Sequence, residues 1–286
     1  MSDAIAGALY VVATPIGNLE DLSPRAGRLL GEVDLVAAED TRHTARLLRH
    51  LGVAAPMLSL HEHNEAARVE RLDACLAAGE SVALVSDAGT PLISDPGFVL
   101  VRALRERGRR IVPVPGPCAL VAALSAAGLP TDRFVFQGFL PAKGGSRRGR
   151  LEGLAERDET LVFYESPHRI RDTLADLAAV LGERRVVLAR ELTKTFETFL
   201  EGSAEALLAR LAEDPDQARG EFVVMVAGAP PREAGAAAAV EGDALLAALL
   251  AEGVGVKQAA GVAARTLGGA KKAWYARAQA LKDGDC

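Results

Sequence analysis

The stretch from Ser81 to Arg107 constrains this chain more than any other. It runs Ser81-Val-Ala-Leu-Val-Ser86, then the loop Asp87-Ala-Gly-Thr-Pro-Leu-Ile-Ser-Asp-Pro-Gly97, then Phe98-Val-Leu-Val-Arg-Ala-Leu-Arg-Glu-Arg107. A short apolar, β-branched run, a loop broken by Gly89, Pro91, Pro96 and Gly97, and an amphipathic segment from Phe98 read as strand, loop and helix. In α/β proteins such loops leave the carboxyl ends of buried parallel strands and line a crevice, where helix N-termini offer unpaired backbone N–H groups. Two aspartates, Asp87 and Asp95, sit in this loop.

The same alternation recurs upstream. Leu9-Tyr-Val-Val-Ala13 reads as a first strand, followed by the loop Thr14-Pro-Ile-Gly-Asn18 and, from Ser23-Pro24, a helix to about Gly31. Asp34 to Glu39 reads as a strand that runs into Glu39-Asp40-Thr41-Arg42-His43, either a substrate-facing rim or, with Asp40 or Thr41 as cap, the start of a helix through Arg49. Met57 to Leu60 leads to His61-Glu-His-Asn64, read as a surface loop before a helix from Glu65 to Gly79. The pair His61 and His63 lacks further ligands at metal-binding spacing, so no metal is expected. Arg110 to Val114 is a strand, and Pro115-Gly-Pro-Cys-Ala119 turns into an alanine-rich helix. No histidine is paired with Cys118 by a recognisable local signature, which favours a small packed residue over a nucleophile. Strand and helix in alternation predict a largely parallel sheet for residues 1–116.

A second block, 117–230, is predicted to hold a mixed sheet. Its strands are Arg133 to Leu140, Thr160 to Tyr164, Arg185 to Ala189 and Glu221 to Val226, and three of them end in polar clusters that suggest a second crevice wall. Between the first two lies Pro141-Ala-Lys-Gly-Gly-Ser-Arg-Arg-Gly-Arg150, expected as a flexible basic loop before a helix from Leu151 to Arg157. Residues 230–239 read as a linker, and 240–286 as three short helices, the first capped by Asp243, that resemble a helix-turn-helix unit made locally basic by Lys257, Arg265, Lys271, Lys272 and Arg277.

Composition narrows the function. A formal charge of −5 over 286 residues gives no global electrostatic case for nucleic acid, so any such contact needs a local patch. Three scattered cysteines make neither a disulfide framework nor a metal cluster, and no apolar run reaches a membrane span. Without a basic region followed by an apolar run near Met1, a soluble cytoplasmic protein is expected. Gly-x-Gly-x-x-Gly and Walker patterns are absent, which disfavours dinucleotides and nucleoside triphosphates.

Five runs in order carry a resemblance. They are Val12 to Arg25, Ala38-Glu-Asp-Thr-Arg42, Leu84 to Gly97, Pro113-Val-Pro-Gly-Pro117 and Phe163-Tyr-Glu-Ser-Pro-His-Arg169. Together they resemble the ribosomal small-subunit methyltransferase I family, within the tetrapyrrole-methylase class, over nearly the whole chain. The resemblance implies a two-domain tetrapyrrole-methylase-like α/β fold with a small C-terminal helical domain and a homodimer. It also implies methylation of the ribose 2′-oxygen of a decoding-centre cytidine in 16S rRNA of the small ribosomal subunit, with S-adenosylmethionine as donor. By the same likeness Asp87, Gly89, Thr90, Gly116, Cys118, Ala119, Tyr164 and, less directly, Phe222 would hold the donor, and Asp95 would cap the helix after it. The first loop, Thr14-Pro-Ile-Gly-Asn18, departs from the Gly-x-Gly-Asp type of the porphyrin methylases and favours the rRNA branch. A corrin or porphyrin methyltransferase and a non-catalytic RNA-binding factor are the alternatives.

A ribose hydroxyl is a weak acid, so some group should take its proton or stabilise the oxyanion. The polar candidates are Asn18, Glu39, Asp40, His61, Glu165, His168, Glu191 and Lys194, with the loops of Asn18, Asp40, Glu165 and Lys194 foremost. Arg42, His61, Arg147, Arg148, Arg169 and Lys194 are expected to face the RNA, the cations holding phosphates.

Overall fold

The computed structural model describes residues 6–61, 63–230 and 234–283. They divide into two compact units, with the division after Ala229.

The first half of the larger unit is a parallel sheet. Its strands are β1 (Ala8–Val12), β2 (Leu35–Ala38), β3 (Met57–Ser59), β4 (Val82–Val85) and β5 (Arg110–Val114), in the order β3-β2-β4-β1-β5. β2 and β4 are buried along their whole length, because a parallel sheet with helices on both faces leaves no wet side. Helices α1 (Pro24–Glu32) and α2 (Thr41–His50) cover one face through Leu29, Leu30, Leu47 and Leu48. Helices α3 (Glu65–Ala77) and α4 (Phe98–Glu106) cover the other through Leu72, Leu76, Leu100 and Leu104. The neighbours β1 and β4 therefore send their connections to opposite faces, and the loops after them open a crevice at their carboxyl ends. α1 starts where Ser23 and Pro24 dictate, the Ser23 hydroxyl accepting the Ala26 N–H at 3.1 Å.

The second sheet is mixed. Helix α5 (Ala119–Ala126) leads to β6 (Phe134–Phe139), α6 (Gly144–Glu152), β7 (Thr160–Glu165), α7 (Ile170–Leu181), β8 (Val186–Arg190), β9 (Thr198–Gly202), α8 (Ala204–Glu213) and β10 (Phe222–Val226). The order is β6-β7-β10-β8-β9, with β6 and β7 parallel and the other pairs antiparallel. Helices α6, α7 and α8 pack on one face. On the other face, Leu120, Ala123 and Leu124 of α5 meet Val162, Val187, Val223 and Met225.

Three expectations need correction. The basic stretch expected as a loop up to Arg150 is helical from Gly144, since Leu151 and the stem of Arg147 are buried on one side of α6. The segment after β8 holds a further strand, β9, and helix α8, neither of which was expected from the sequence. In the smaller unit α9 (Ala234–Ala251) is already helical well before Asp243, as its alanine content favours. Asp243 is therefore no cap, and its carboxylate instead pairs with Arg277. The expected linker falls partly on 231–233, outside the described residues. Helices α10 (Val256–Leu267) and α11 (Lys271–Asp283) complete this unit around Leu246, Ala259, Ala263 and Trp274, whose indole N–H donates to the Gly268 carbonyl at 2.7 Å. Among the described residues no helix is long and apolar enough to cross a membrane.

Candidate functional site

The loops after β1, β4 and β5 are stitched together at the crevice. Thr14 and Gly89 exchange backbone hydrogen bonds of 2.8 and 3.0 Å, and the Thr90 hydroxyl donates to the Pro117 carbonyl at 2.9 Å. Gly89 holds φ +82°, where a Cβ would come 3.3 Å from Ile16, so only glycine sits there without strain. Gly116 passes β1 so closely that a Cβ would lie 3.0 Å from that of Ala13. Two residues of the β4–α4 loop, Leu92 and Ser94, also hold positive φ, at 74° and 70°. Such backbone costs roughly 1–3 kcal/mol per residue and collects at ligand sites.

The second sheet brings the opposite wall. The Tyr164 hydroxyl, at the end of β7, accepts the Leu120 N–H of α5 at 3.2 Å, while Phe136 and Phe139 stand edge-on to its ring at 4.9 and 5.8 Å. Burial holds the Tyr164 phenol above its ordinary range, so it stays a neutral donor. After β8 the turn carries Glu191 and Thr193 at φ 51° and 64°. There Lys194 Nζ reaches Glu191 at 2.9 Å and Glu221 at 2.8 Å, and its methylene stem lies against Gly17 of the first half. Burial pulls Lys194 down, but its hydrogen bonds to Glu221 and Glu191 outweigh that and leave it raised and charged.

Between these walls lies a cavity of about 340 Å³. Of the residues predicted to hold the donor, Gly89, Thr90, Cys118, Ala119, Tyr164 and Phe222 line it. Gly116 and Asp87 do not. The Asp87 carboxylate turns towards β2 and accepts the Asp40 N–H at 3.0 Å, which ties the ends of two strands together.

The candidate proton acceptors are mostly occupied. Asn18 accepts the Glu20 N–H at 3.0 Å in a 3-10 turn, and Asp40 caps α2 by accepting the Arg42 N–H at 2.8 Å. Asp40 also holds the Arg42 guanidinium, which keeps its carboxyl well below the usual range while the Arg42 side chain stays exposed. Glu165 lines the cavity, but its buried carboxylate accepts from Ser166 N–H and Thr173 Oγ1, both at 2.7 Å, and from Arg169 Nε at 2.9 Å. Arg169 is thus spent on Glu165 and the Leu140 carbonyl. His61 lies away from the cavity, with its Nε2 at 3.0 Å from the Asn64 side chain. Among the described residues no group of three or more His, Cys, Asp or Glu could hold a metal.

Two positions change role. Arg147, expected to face RNA, is buried, with Nε 2.6 Å from Asp176, whereas Arg148 beside it is more than half exposed. Asp95, expected to cap α4, lines the cavity instead. The cap position is Gly97, which has no side chain to offer, and α4 starts without a side-chain cap bond. Burial, and then the charges of Glu39 and Asp87, push the Asp95 carboxyl up to about 6 despite a hydrogen bond from Ser86. The one signal in the sequence was its position in a loop rich in glycine and proline.

Known proteins agree with this architecture. The tetrapyrrole (corrin/porphyrin) methylase model matches residues 8–208, and the RsmI C-terminal HTH domain model matches residues 236–282. A ribosomal RNA small subunit methyltransferase I from Pseudomonas aeruginosa is 56% identical over 96% of this chain and 97% of its own length. Its counterpart from Escherichia coli O157:H7 is 53% identical over 96% of this chain and 95% of its own. Among solved structures, uroporphyrin-III-C-methyltransferase from Thermus thermophilus is 25% identical with a TM-score of 0.54, covering 77% of this chain and 94% of that one. The methyltransferase CobJ shares the fold at a TM-score of 0.57 and 22% identity, covering 78% of this chain and 95% of that one. With two sheets lining the cavity and a helical unit following in the chain, the protein belongs to the ribosomal RNA small subunit methyltransferase I family.

Proposed function

We propose that this chain transfers a methyl group from S-adenosylmethionine to the ribose 2′-oxygen of a decoding-centre cytidine in 16S rRNA, as a cytoplasmic homodimer. The near full-length match to ribosomal RNA methyltransferases, which reaches into the C-terminal helical unit, carries this reading.

The cavity suits the donor. At about 340 Å³ it falls in the range of small-molecule sites, and its wall mixes apolar side chains with polar and charged ones such as Thr90, Asp95, Tyr164, Glu165 and Lys194. α5 opens beside it with no side-chain cap from Cys118, and the Leu120 N–H of its first turn is held by the Tyr164 hydroxyl. Gly89, Thr90, Cys118 and Ala119 would hold the donor from one wall, and Tyr164 and Phe222 from the other. Bound S-adenosylmethionine supplies a methyl group activated by its sulfonium, so the protein's task is chiefly alignment and proton removal. Lys194 lines the cavity with its charge held by Glu191 and Glu221, so a phosphate next to the target nucleotide would have to compete with these two carboxylates for it. A cleft of this kind takes a nucleotide splayed out of its stack.

The test is to incubate small subunits lacking the modification with methyl-labelled donor and map the product. Label on one ribose 2′-oxygen is expected. Label on a base, or transfer only to a tetrapyrrole, would overturn the substrate, and failure to bind S-adenosylmethionine would leave a non-catalytic RNA-binding factor. Sedimentation that returns only monomer at micromolar concentration would remove the homodimer.

A further inference from the structure

The two faces of the first sheet are covered by helices of very different charge. On one face α3 and α4 carry four Arg against four Asp or Glu, and Glu70 and Asp73 between them hold Arg107 and Arg109 just after α4. On the other face α1 and α2 carry five Arg and two His against one acidic residue, Glu32. These two helices are neighbours, with Gly27 and Gly31 of α1 against Leu51 and Val53 just after α2. Most of the charge is on α2. Thr44, Leu47 and Leu48 are buried under it, while Arg42, His43, Arg46, Arg49 and His50 are exposed. At about 100° per residue, Arg42, Arg46 and Arg49 fall within an arc of about 60° and span about 10 Å along the helix axis. Arg42 is held by Asp40 yet stays 89% exposed, and Arg46 and Arg49 have no acidic partner among the described residues. Like charges at i, i+3 and i, i+4 repel, and a cation in the first turn opposes the helix dipole, so α2 gives up stability to keep this row.

The row also begins at the crevice. The Asp40 N–H that opens α2 is bonded to Asp87 at 3.0 Å, one residue before Ala88, Gly89 and Thr90 of the cavity wall. A nucleotide splayed into the cavity leaves the phosphates of its neighbours at that rim. We propose that Arg42, Arg46 and Arg49 of α2 are a track for the RNA backbone flanking the target nucleotide, leading from the mouth of the cavity along the outer face of the first sheet. The inference rests on the rRNA-methylation reading. The guanidinium groups hold phosphate oxygens and set the register of the strand, without reading its sequence. RNA fits better than a protein partner, because a protein interface needs a desolvated apolar centre and the exposed members of this row include no apolar side chain.

The experiment compares the full wild-type chain with Arg46→Gln/Arg49→Gln, since glutamine keeps the helix propensity and Arg42 is left on its cap. The control is Arg71→Gln/Arg105→Gln, the same charge change at exposed positions of α3 and α4. Product mapping on wild type comes first, since label outside 16S rRNA would sink the function reading whatever α2 does. Given rRNA methylation, the α2 variant should raise KM for small subunits lacking the modification, hold kcat at saturation and bind S-adenosylmethionine in calorimetry as wild type does. Its plot of log affinity for protein-free small-subunit RNA against log salt should flatten by roughly 0.7–0.9 for each cation lost, and the control should follow wild type. Arg46→Lys/Arg49→Lys, which keeps the charge, should recover most of the slope. An unchanged slope and KM in the α2 variant would overturn the track. An equal change in the control would overturn it as well, by tracing the effect to net charge. Loss confined to the assembled subunit, with protein-free RNA bound equally by wild type and variant, would put an acidic protein surface on the row in place of RNA. A fall in donor affinity would show that the substitutions act through the cavity and would also overturn the assignment.

Discussion

Arg147 and Arg148 are adjacent on α6 and live in different media. The Arg147 side chain is 5% exposed, bound to Asp176 at 2.6 Å and to the Ala142 carbonyl, whereas Arg148 is 57% exposed and reaches the same carboxylate at 3.2 Å. Removing one member of a buried pair leaves the other charge without its partner, and that is where large destabilisations come from. Arg147→Ala should cost about 3 kcal/mol, read as a lower urea midpoint, with donor affinity held in whatever fraction stays folded. Arg148→Ala should stay within about 0.5 kcal/mol of wild type. Equal effects would mean that the pair is not buried in solution. The sequence could not separate the two, because residues i and i+1 point to different sides only once a helix is granted. Gly144, Gly145 and Gly149 hid the helix by their low propensity.

The β4–α4 connection is the element on which the site turns. Its strand, loop and helix were legible because a β-branched run, four Gly/Pro breaks and an amphipathic segment each obey a local rule. The directions of its two aspartates were not legible. Asp87, just past the end of β4, accepts from the Asp40 N–H, whereas Asp95 faces the cavity after Leu92 and Ser94 have taken positive φ, which no propensity anticipates. Gly97 is the hinge of that geometry: a Cβ there would lie 3.0 Å from both Leu84 and Leu92, at a φ that L residues avoid. Gly97→Ala should cost about 2 kcal/mol in urea unfolding and weaken S-adenosylmethionine binding in calorimetry, through displacement of Ser94 and Asp95. A drop in stability with donor binding intact would show that the loop can yield without moving the cavity wall. By contrast β9 was not legible because a single buried side chain, Leu200, marks it. An edge strand with one inward residue carries almost no alternation to detect.

At the scale of the whole molecule, the parallel first sheet and mixed second sheet followed from how the strands are spaced. The strand orders did not, since they depend on pairings distant in sequence. Charge is distributed just as unevenly. The chain is acidic overall at −5, yet between Asp243 and Lys282 it carries six Lys or Arg against two Asp or Glu. Arg277 is engaged with Asp243, while Lys257, Arg265, Lys271 and Lys272 are exposed. A body that repels a polyanion can bind one only through such a patch, and the binding must then weaken as salt rises, because each neutralised phosphate releases counter-ions. Changing these four residues to Gln in the full chain should flatten the plot of log affinity for small-subunit RNA against log salt. The slope should shift by roughly 0.7–0.9 for every phosphate that no longer meets a cation, with S-adenosylmethionine affinity in calorimetry unaltered. An unchanged slope would move the phosphate-binding cations to Lys194, Arg148 and their neighbours on the larger unit and leave the helical unit a packing role. A fall in donor affinity would show instead that the helical unit supports the cavity, and its basic surface would then need another explanation than RNA.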